Sequence, residues 1–201
     1  MNGASLFSRL YDPATEPAER LGLRERRRED LRGLRGRVLE LGVGTGRNIP
    51  LYPSGVDRLV GIDPDETMLR QAEGRASEAP FPVELVPAPA EELPFEDGSF
   101  DAVVATLVFC TVPDPVQALG EVRRTLREGG EFRLLEHVRM QQRPVGWLQE
   151  KATPLWKRLA GGCHLDRDTL ARVRQAGFEV ERVERHLEGL ALSIFARNPR
   201  L

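Results

Sequence analysis

Residues 38–48 read VLELGVGTGRN, an apolar run of strand character that passes directly into Gly42, Gly44 and Gly46. Glycines so closely spaced after a strand make a tight strand-to-helix turn in which a ligand can touch bare backbone. A dinucleotide fingerprint asks for glycines at the first, third and sixth positions, with a pyrophosphate on the helix N-terminus. Counted from Gly42, the sixth position is Arg47. Glu40, two residues before the first glycine, has the wrong charge to sit beside a pyrophosphate and the right one to sit near a cation. A cofactor with an ammonium, a sulfonium and no phosphate suits this turn, and S-adenosylmethionine fits that description. A strand-end carboxylate in a nicotinamide-dependent oxidoreductase, or a purely structural glycine turn, are the competing readings.

Outward from this turn, strand signals recur at 38–41, 59–63, 83–86, 102–106 and 131–136, with helical stretches between them. Helical spacing is clearest in Val116, Leu119, Val122 and Leu126, opened by Asp114-Pro115 and closed by Gly129-Gly130. Alternating strands and helices imply a parallel sheet covered on both faces. After Gly177 two strand-like runs, 178–185 and 190–197, are joined by only a few residues around Gly189. So short a link holds no crossover helix, and the pair is expected to be antiparallel. The expected fold is α/β, a doubly wound and mostly parallel sheet ending in an antiparallel hairpin.

With 201 residues the chain is long enough for one α/β domain, and no linker divides it, so 1–201 reads as a single domain. A net charge of −2 gives no reason to expect nucleic-acid binding. The longest apolar runs fall short of the roughly 20 residues a membrane span needs, and MNGASLFSRLYD does not read as a secretory signal, so a cytoplasmic protein is expected. Two distant cysteines, Cys110 and Cys163, do not suggest a disulfide, and no metal site is expected. Residues 1–36 mix Leu21, Leu23, Leu31 and Leu34 with arginines and acids, as in an amphipathic helical cap packed on the domain. Its arginines are expected on a solvated face, with peripheral contact to an anionic membrane as the alternative.

Ligands of open parallel sheets bind beyond the carboxyl ends of the strands. Asp63, which closes the second strand in GIDPDETML, can accept both hydroxyls of a ribose, and capping the next helix is its alternative role. Met68, one turn further on, can cover an adenine face or simply fill the core. The segments VLELGVGTGRN, GIDPDETML, AEELPFEDGSFD and LREGGEFRLLEHV resemble, in order and spacing, the class I S-adenosylmethionine-dependent methyltransferases of the type 11 branch. That resemblance implies a seven-stranded, Rossmann-like methyltransferase fold, with S-adenosylhomocysteine as the product of the cofactor. It also implies that Gly42, Gly44 and Gly46 line the methionine portion of the cofactor, with Thr106 and Leu107 beside it. Tyr11 and Asn48 would be further contacts, and Ala90 and Glu91 would lie at the adenine. Pro89 stands where the family usually has an aspartate, which removes one expected acceptor for the adenine amino group.

TLVFCTVPDP and PLWKRLAGGCHLDRDT resemble a sub-branch that includes bacterial phospholipid N-methyltransferases and animal thiol methyltransferases. A small-molecule or lipid-like, partly apolar acceptor is then expected, with amines and thiols favoured, and residues 140–168 should cover it. Trp147 and Trp156 fall in that insertion. Transfer from a sulfonium is an in-line displacement, so positioning supplies most of the acceleration and a general base matters only for a protonated acceptor. His137, at the end of the fifth strand, and His164, in the glycine-hinged GGCHLDRD, are the candidates, and a hydrogen-bonded structural histidine is the alternative for each. A cofactor-binding module without catalysis remains the other reading.

Overall fold

The computed structural model describes residues 3–137, 147, 151, 164, 167–186 and 191–199, with side chains from Tyr11 onward. Seven strands form one sheet: β1 Gly36–Leu41, β2 Val56–Ile62, β3 Val83–Val86, β4 Phe100–Thr106, β5 Leu126–His137, β6 Glu179–His186 and β7 Ala191–Arg197. Their order is β3-β2-β1-β4-β5-β7-β6. The first five run parallel, and β7 lies antiparallel between β5 and β6. Strand order reverses between β1 and β4, which opens a crevice beyond their carboxyl ends.

Each face of the sheet carries its own core. Leu39 and Leu41 of β1 join Val103, Ala105, Phe132 and Leu134 under helices α4 (Pro115–Thr125) and α5 (Thr169–Gln175). Val38 of β1, one residue out of phase, joins Leu59 and Val104 on the opposite face. There they meet Leu31 of α2 (Arg24–Leu31) and Leu69 and Ala72 of α3 (Glu66–Ser77). By the two-residue period of a strand, Glu40 shares the second face and Glu136 shares the first. Three helices begin at aspartate caps: Asp65 accepts from the Thr67 N–H, Asp114 from Val116 and Gln117, and Asp168 from Ala171. Asp65, not Asp63, caps α3, which leaves Asp63 free of that duty.

Two readings of the sequence are corrected. Gly129-Gly130 does not close a helix: α4 ends at Thr125, and both glycines lie within β5. Asn198 explains the early stop, since its side-chain N–H groups donate to the carbonyls of Arg123 and Leu126 at 3.1 and 2.7 Å. Gly130 leaves room for Leu126 to fold back, because a Cβ there would lie 2.5 Å from the Leu126 Cδ1. The cap is also more than one amphipathic helix. Helix α1 (Gly3–Ala18) meets α2 through a wide turn, Glu19–Leu23, at whose Gly22 the backbone takes φ 120°. Leu31 and Leu34 are buried as expected, but Leu21 on that turn is 88% exposed. Arg27 departs from the expected solvated face and is only 6% exposed. No described helix is long and apolar enough to cross a membrane.

Candidate active site

The glycine turn sits at the crevice between β1 and β4, and its three glycines do different work. All three have positive φ, 57° at Gly42, 55° at Gly44 and 82° at Gly46, a region other residues seldom enter. A Cβ on Gly46 would stand 2.8 Å from Ile49 Cδ1 and 3.1 Å from the Ala72 Cβ, so this glycine lets the turn close on α3. A Cβ on Gly42 would meet Val108 Cγ2 at 2.6 Å. Gly44 has nothing nearer than the Gly42 carbonyl at 3.9 Å, and beside it the backbone borders open space. Tyr11, Arg27, Glu40, Gly42, Gly44 and Thr106 are among the residues that line the cavity there, as is Asn48. Gly46 is not among them.

Glu40 is 2% exposed. Its two oxygens accept from the Asn48 amide at 2.8 Å and the Tyr52 hydroxyl at 2.9 Å. Burial raises the carboxyl, these bonds and the nearby Arg27 charge lower it, and the balance leaves it at about 7. Asn48 makes three side-chain bonds: it donates to Glu40 and to the Thr106 hydroxyl at 3.0 Å, and accepts from Arg27 at 3.1 Å. It therefore ties the ends of β1 and β4 to the cap. Arg27 also donates to buried Glu19 at 3.0 Å, within a buried ion pair. Glu40 and Arg27, both bonded to the Asn48 amide, thus line the same cavity.

Asp63 follows β2, and its carboxylate accepts from the Gly44 N–H at 3.1 Å and the Asp65 N–H at 2.9 Å. Burial raises its pKa, against these two bonds. A carboxylate has about four acceptor sites, so capacity remains for the two hydroxyls of a ribose. Met68 is buried in the first turn of α3, and Ala90 is buried in the core. Glu91 is turned toward α4, accepting from the Asp114 N–H at 3.1 Å. Leu107 adopts φ 59°, and its N–H donates to the Leu135 carbonyl at 2.7 Å. His137 ends β5 half-buried, on the face opposite Glu136. The His164 N–H reaches the Cys110 carbonyl at 2.7 Å, which places His164 against the segment that follows β4.

The cap closes over the turn through Asp12, a residue the sequence did not single out. Its carboxylate accepts from the Thr45 hydroxyl at 2.7 Å, from Arg47 at 3.0 Å and from Arg75 of α3 at 2.8 Å. Burial would raise its pKa, but these partners together hold it below the ordinary value. Arg47, the residue that breaks the dinucleotide pattern, is the hub of this contact and also donates to the Asp12 carbonyl and to Glu16. Tyr11 is brought over the cavity beside Arg27 and Arg47, and burial raises its pKa. Arg27 was missed as well, although the spacing Leu23, Arg27, Leu31, Leu34 puts it on the apolar face of its helix. A charge in such a position signals a buried partner. Of the residues expected to cover the acceptor, Trp147, Lys151, His164, Arg167 and Asp168 are described, and Cys163 and Trp156 lie outside the described residues. Among the described residues no group of His, Cys, Asp and Glu could hold a metal ion.

Comparison with known proteins bears on these features. A protein-family model described as "Methyltransferase domain" matches residues 39–134. The chain is 39% identical over 165 residues to thiol S-methyltransferase TMT1B of Homo sapiens, covering 77% of this chain and 66% of that protein. It is 39% identical over 117 residues to phosphatidylethanolamine N-methyltransferase of Cereibacter sphaeroides, covering 57% of each. The chain thus spans about two thirds or less of these curated relatives. Among solved structures, an S-adenosylmethionine-dependent methyltransferase of Thermotoga maritima superposes with a TM-score of 0.68 at 27% identity, over 96% of this chain and 97% of the other. A solved structure from Bacillus halodurans shares the fold, with a TM-score of 0.73 at 17% identity over 88% of this chain and 99% of the other. With the glycine turn, the reversed strand order and the terminal β5-β7-β6 arrangement, the chain belongs to the class I S-adenosylmethionine-dependent methyltransferases.

Proposed function

We propose that the protein transfers a methyl group from S-adenosylmethionine to a small, partly apolar acceptor, an amine or a thiol. One observation carries this reading: Glu40 and Arg27 line a single cavity together with Gly44, beside which the backbone borders open space. Such a pair suits the ammonium and carboxylate of a methionine moiety, and Asp63 beyond Gly44 suits its ribose. The cofactor, once held there, supplies an electrophilic methyl on a sulfonium. The protein's task is then to exclude water and bring a nucleophile into line with that methyl. Tyr11 and the pinned cap cover the donor, and the 140–168 segment covers the acceptor. His137 or His164 takes a proton from an acceptor that arrives as an ammonium or thiol. The two named relatives act on a thiol and on an aminophospholipid, which supports the acceptor class. Trp147, 58% exposed with Lys151 over its ring, and the projecting Leu21 beside Arg20 would suit a lipid-like acceptor at a membrane surface.

Label transfer tests this. With methyl-labelled S-adenosylmethionine, incorporation is expected into 2-mercaptoethanol, an alkyl amine or phosphatidylethanolamine vesicles. Binding of S-adenosylhomocysteine without label in any acceptor would instead identify a non-catalytic cofactor-binding module. Stabilisation by a nicotinamide cofactor in place of S-adenosylhomocysteine would overturn the reading of the cavity.

A further inference from the structure

Residues 107–112, which leave β4 at the edge of the cofactor cavity, are gripped from two sides by ionisable side chains. On one side Glu136, 0% exposed near the end of β5, uses one oxygen to accept from the N–H groups of Val108 and Phe109, both at 2.9 Å. Its other oxygen accepts from the Cys110 N–H at 3.3 Å. On the other side, one Arg167 nitrogen donates to the carbonyls of Phe109 at 2.5 Å and Val112 at 2.7 Å. Both polar edges of one short loop are thereby occupied.

The loop begins with strain, and its second residue packs against the cofactor turn. Leu107 is, among the described residues, the one non-glycine residue with positive φ. The side chain of Val108 fills the space that a Cβ on Gly42 would need. A small displacement of the loop therefore moves the glycine turn on the donor side and the His164 contact on the acceptor side. Removing a carboxylate from water is costly, and an apolar strand end would fold without it. The geometry fits a device for position more closely than one for stability alone.

We propose that Glu136 and Arg167 are positioning residues for methyl transfer, jointly fixing loop 107–112 as the wall between donor and acceptor. This inference rests on the methyl-transfer reading. The test uses the full chain with Glu136→Gln, Arg167→Ala and Arg167→Lys. In Glu136→Gln an amide N–H group replaces one carboxylate oxygen and confronts backbone donors. In Arg167→Lys a single ammonium can still reach both carbonyls.

Rates are measured from saturating methyl-labelled S-adenosylmethionine to 2-mercaptoethanol and to phosphatidylethanolamine vesicles, alongside calorimetric binding of S-adenosylhomocysteine. Exchange of the amides of residues 108–110 is followed in that complex. Glu136→Gln and Arg167→Ala should each lower kcat at least about tenfold with Kd for S-adenosylhomocysteine changed no more than about threefold. Arg167→Lys should recover most of the Arg167→Ala loss, and exchange at 108–110 should quicken at least about tenfold in the two impaired variants. Variants with kcat within twofold of wild type would overturn the proposal, as would losses of kcat and cofactor affinity in equal measure. Should the wild type methylate neither acceptor, the methyl-transfer reading fails on those acceptors and the exchange arm decides the clamp. Faster exchange in both variants then supports it, and unchanged exchange refutes it.

Discussion

Replacing Glu40 with glutamine gives a pH-dependent test of the buried charge at the cofactor cavity. The carboxyl is displaced from 4.5 to about 7 by burial, which outweighs its bonds from Tyr52 and Asn48 and the Arg27 charge. A folded-state value above the unfolded one means that folding takes up a proton between those pH values. The stability contributed by protonated Glu40 is complete below the unfolded pKa and is lost as pH rises through about 7. At ~1.4 kcal/mol per pH unit, the full displacement is worth about 3 kcal/mol. Glutamine is neutral throughout, and its amide can still accept from Asn48 and donate to the Tyr52 oxygen. Urea unfolding of the unliganded protein at pH 5 and pH 8 should show the wild type losing roughly 2–3 kcal/mol more than Glu40→Gln, since pH 5 already lies a little above the unfolded pKa. Glu136, also raised to about 7 by burial, titrates equally in both proteins and cancels. Cofactor binding should reverse the sign, since an ammonium beside Glu40 favours its ionised form. Near pH 6.5 binding should release a proton, seen as a binding enthalpy that depends on the buffer, and Glu40→Gln should abolish that dependence. Parallel pH profiles for the two proteins would refute the reasoning.

Asp63→Ala removes the carboxylate proposed to accept from two ribose hydroxyls, and a net loss of roughly 3 kcal/mol should weaken S-adenosylhomocysteine binding about a hundredfold by calorimetry. Gly46→Ala and Gly44→Ala should separate folding from binding. The first combines positive φ with a 2.8 Å clash against Ile49 and should cost about 2–5 kcal/mol of stability in urea unfolding. The second meets only open space, so it should cost about 1–2 kcal/mol while its methyl obstructs the cofactor cavity. Asp12→Ala releases α1 from Thr45, Arg47 and Arg75, and should quicken S-adenosylhomocysteine release several-fold in stopped flow with a smaller effect on association.

The parts legible in the sequence are those fixed by local pattern. Glycine spacing located the turn, because backbone with positive φ, and at Gly42 and Gly46 no room for a Cβ, admits little else. Strand periodicity and the short link after residue 186 foretold the hairpin, because no crossover helix fits there. Glu40 and Asp63 stand out in the sequence by their place at strand ends. Asp12 and Arg75 do not, since their roles lie in contacts 30 to 63 residues away in the chain. No periodicity encodes such partners. Gly129-Gly130 misled for a related reason: Asn198, more than 60 residues downstream, caps the carbonyls that a glycine stop would otherwise leave open. Leu21 misled because Gly22, with φ 120°, breaks the helical phase that would have turned it inward.

Glu40 and Glu136 occupy the same place in two strands, one residue before the end, yet their partners suit them to different work. Glu136 is held by three backbone N–H groups of one loop, donors that cannot turn away without unmaking that loop. Glu40 is held by a phenol and an amide, side chains that can rotate, and it borders a cavity. A neutral residue at position 40 would make the unliganded protein more stable at pH 8, because it would avoid burying a charge whose nearby cation, Arg27, is already paired with Glu19. Keeping an ionisable group there makes sense only if the liganded state gains more from its charge than the free protein loses. A cationic ligand supplies that gain, whereas a phosphate would enlarge the loss. The carboxylate at position 40 thus links the stability of the empty fold to the charge of what fills it, and the buffer-dependent enthalpy measures that link directly.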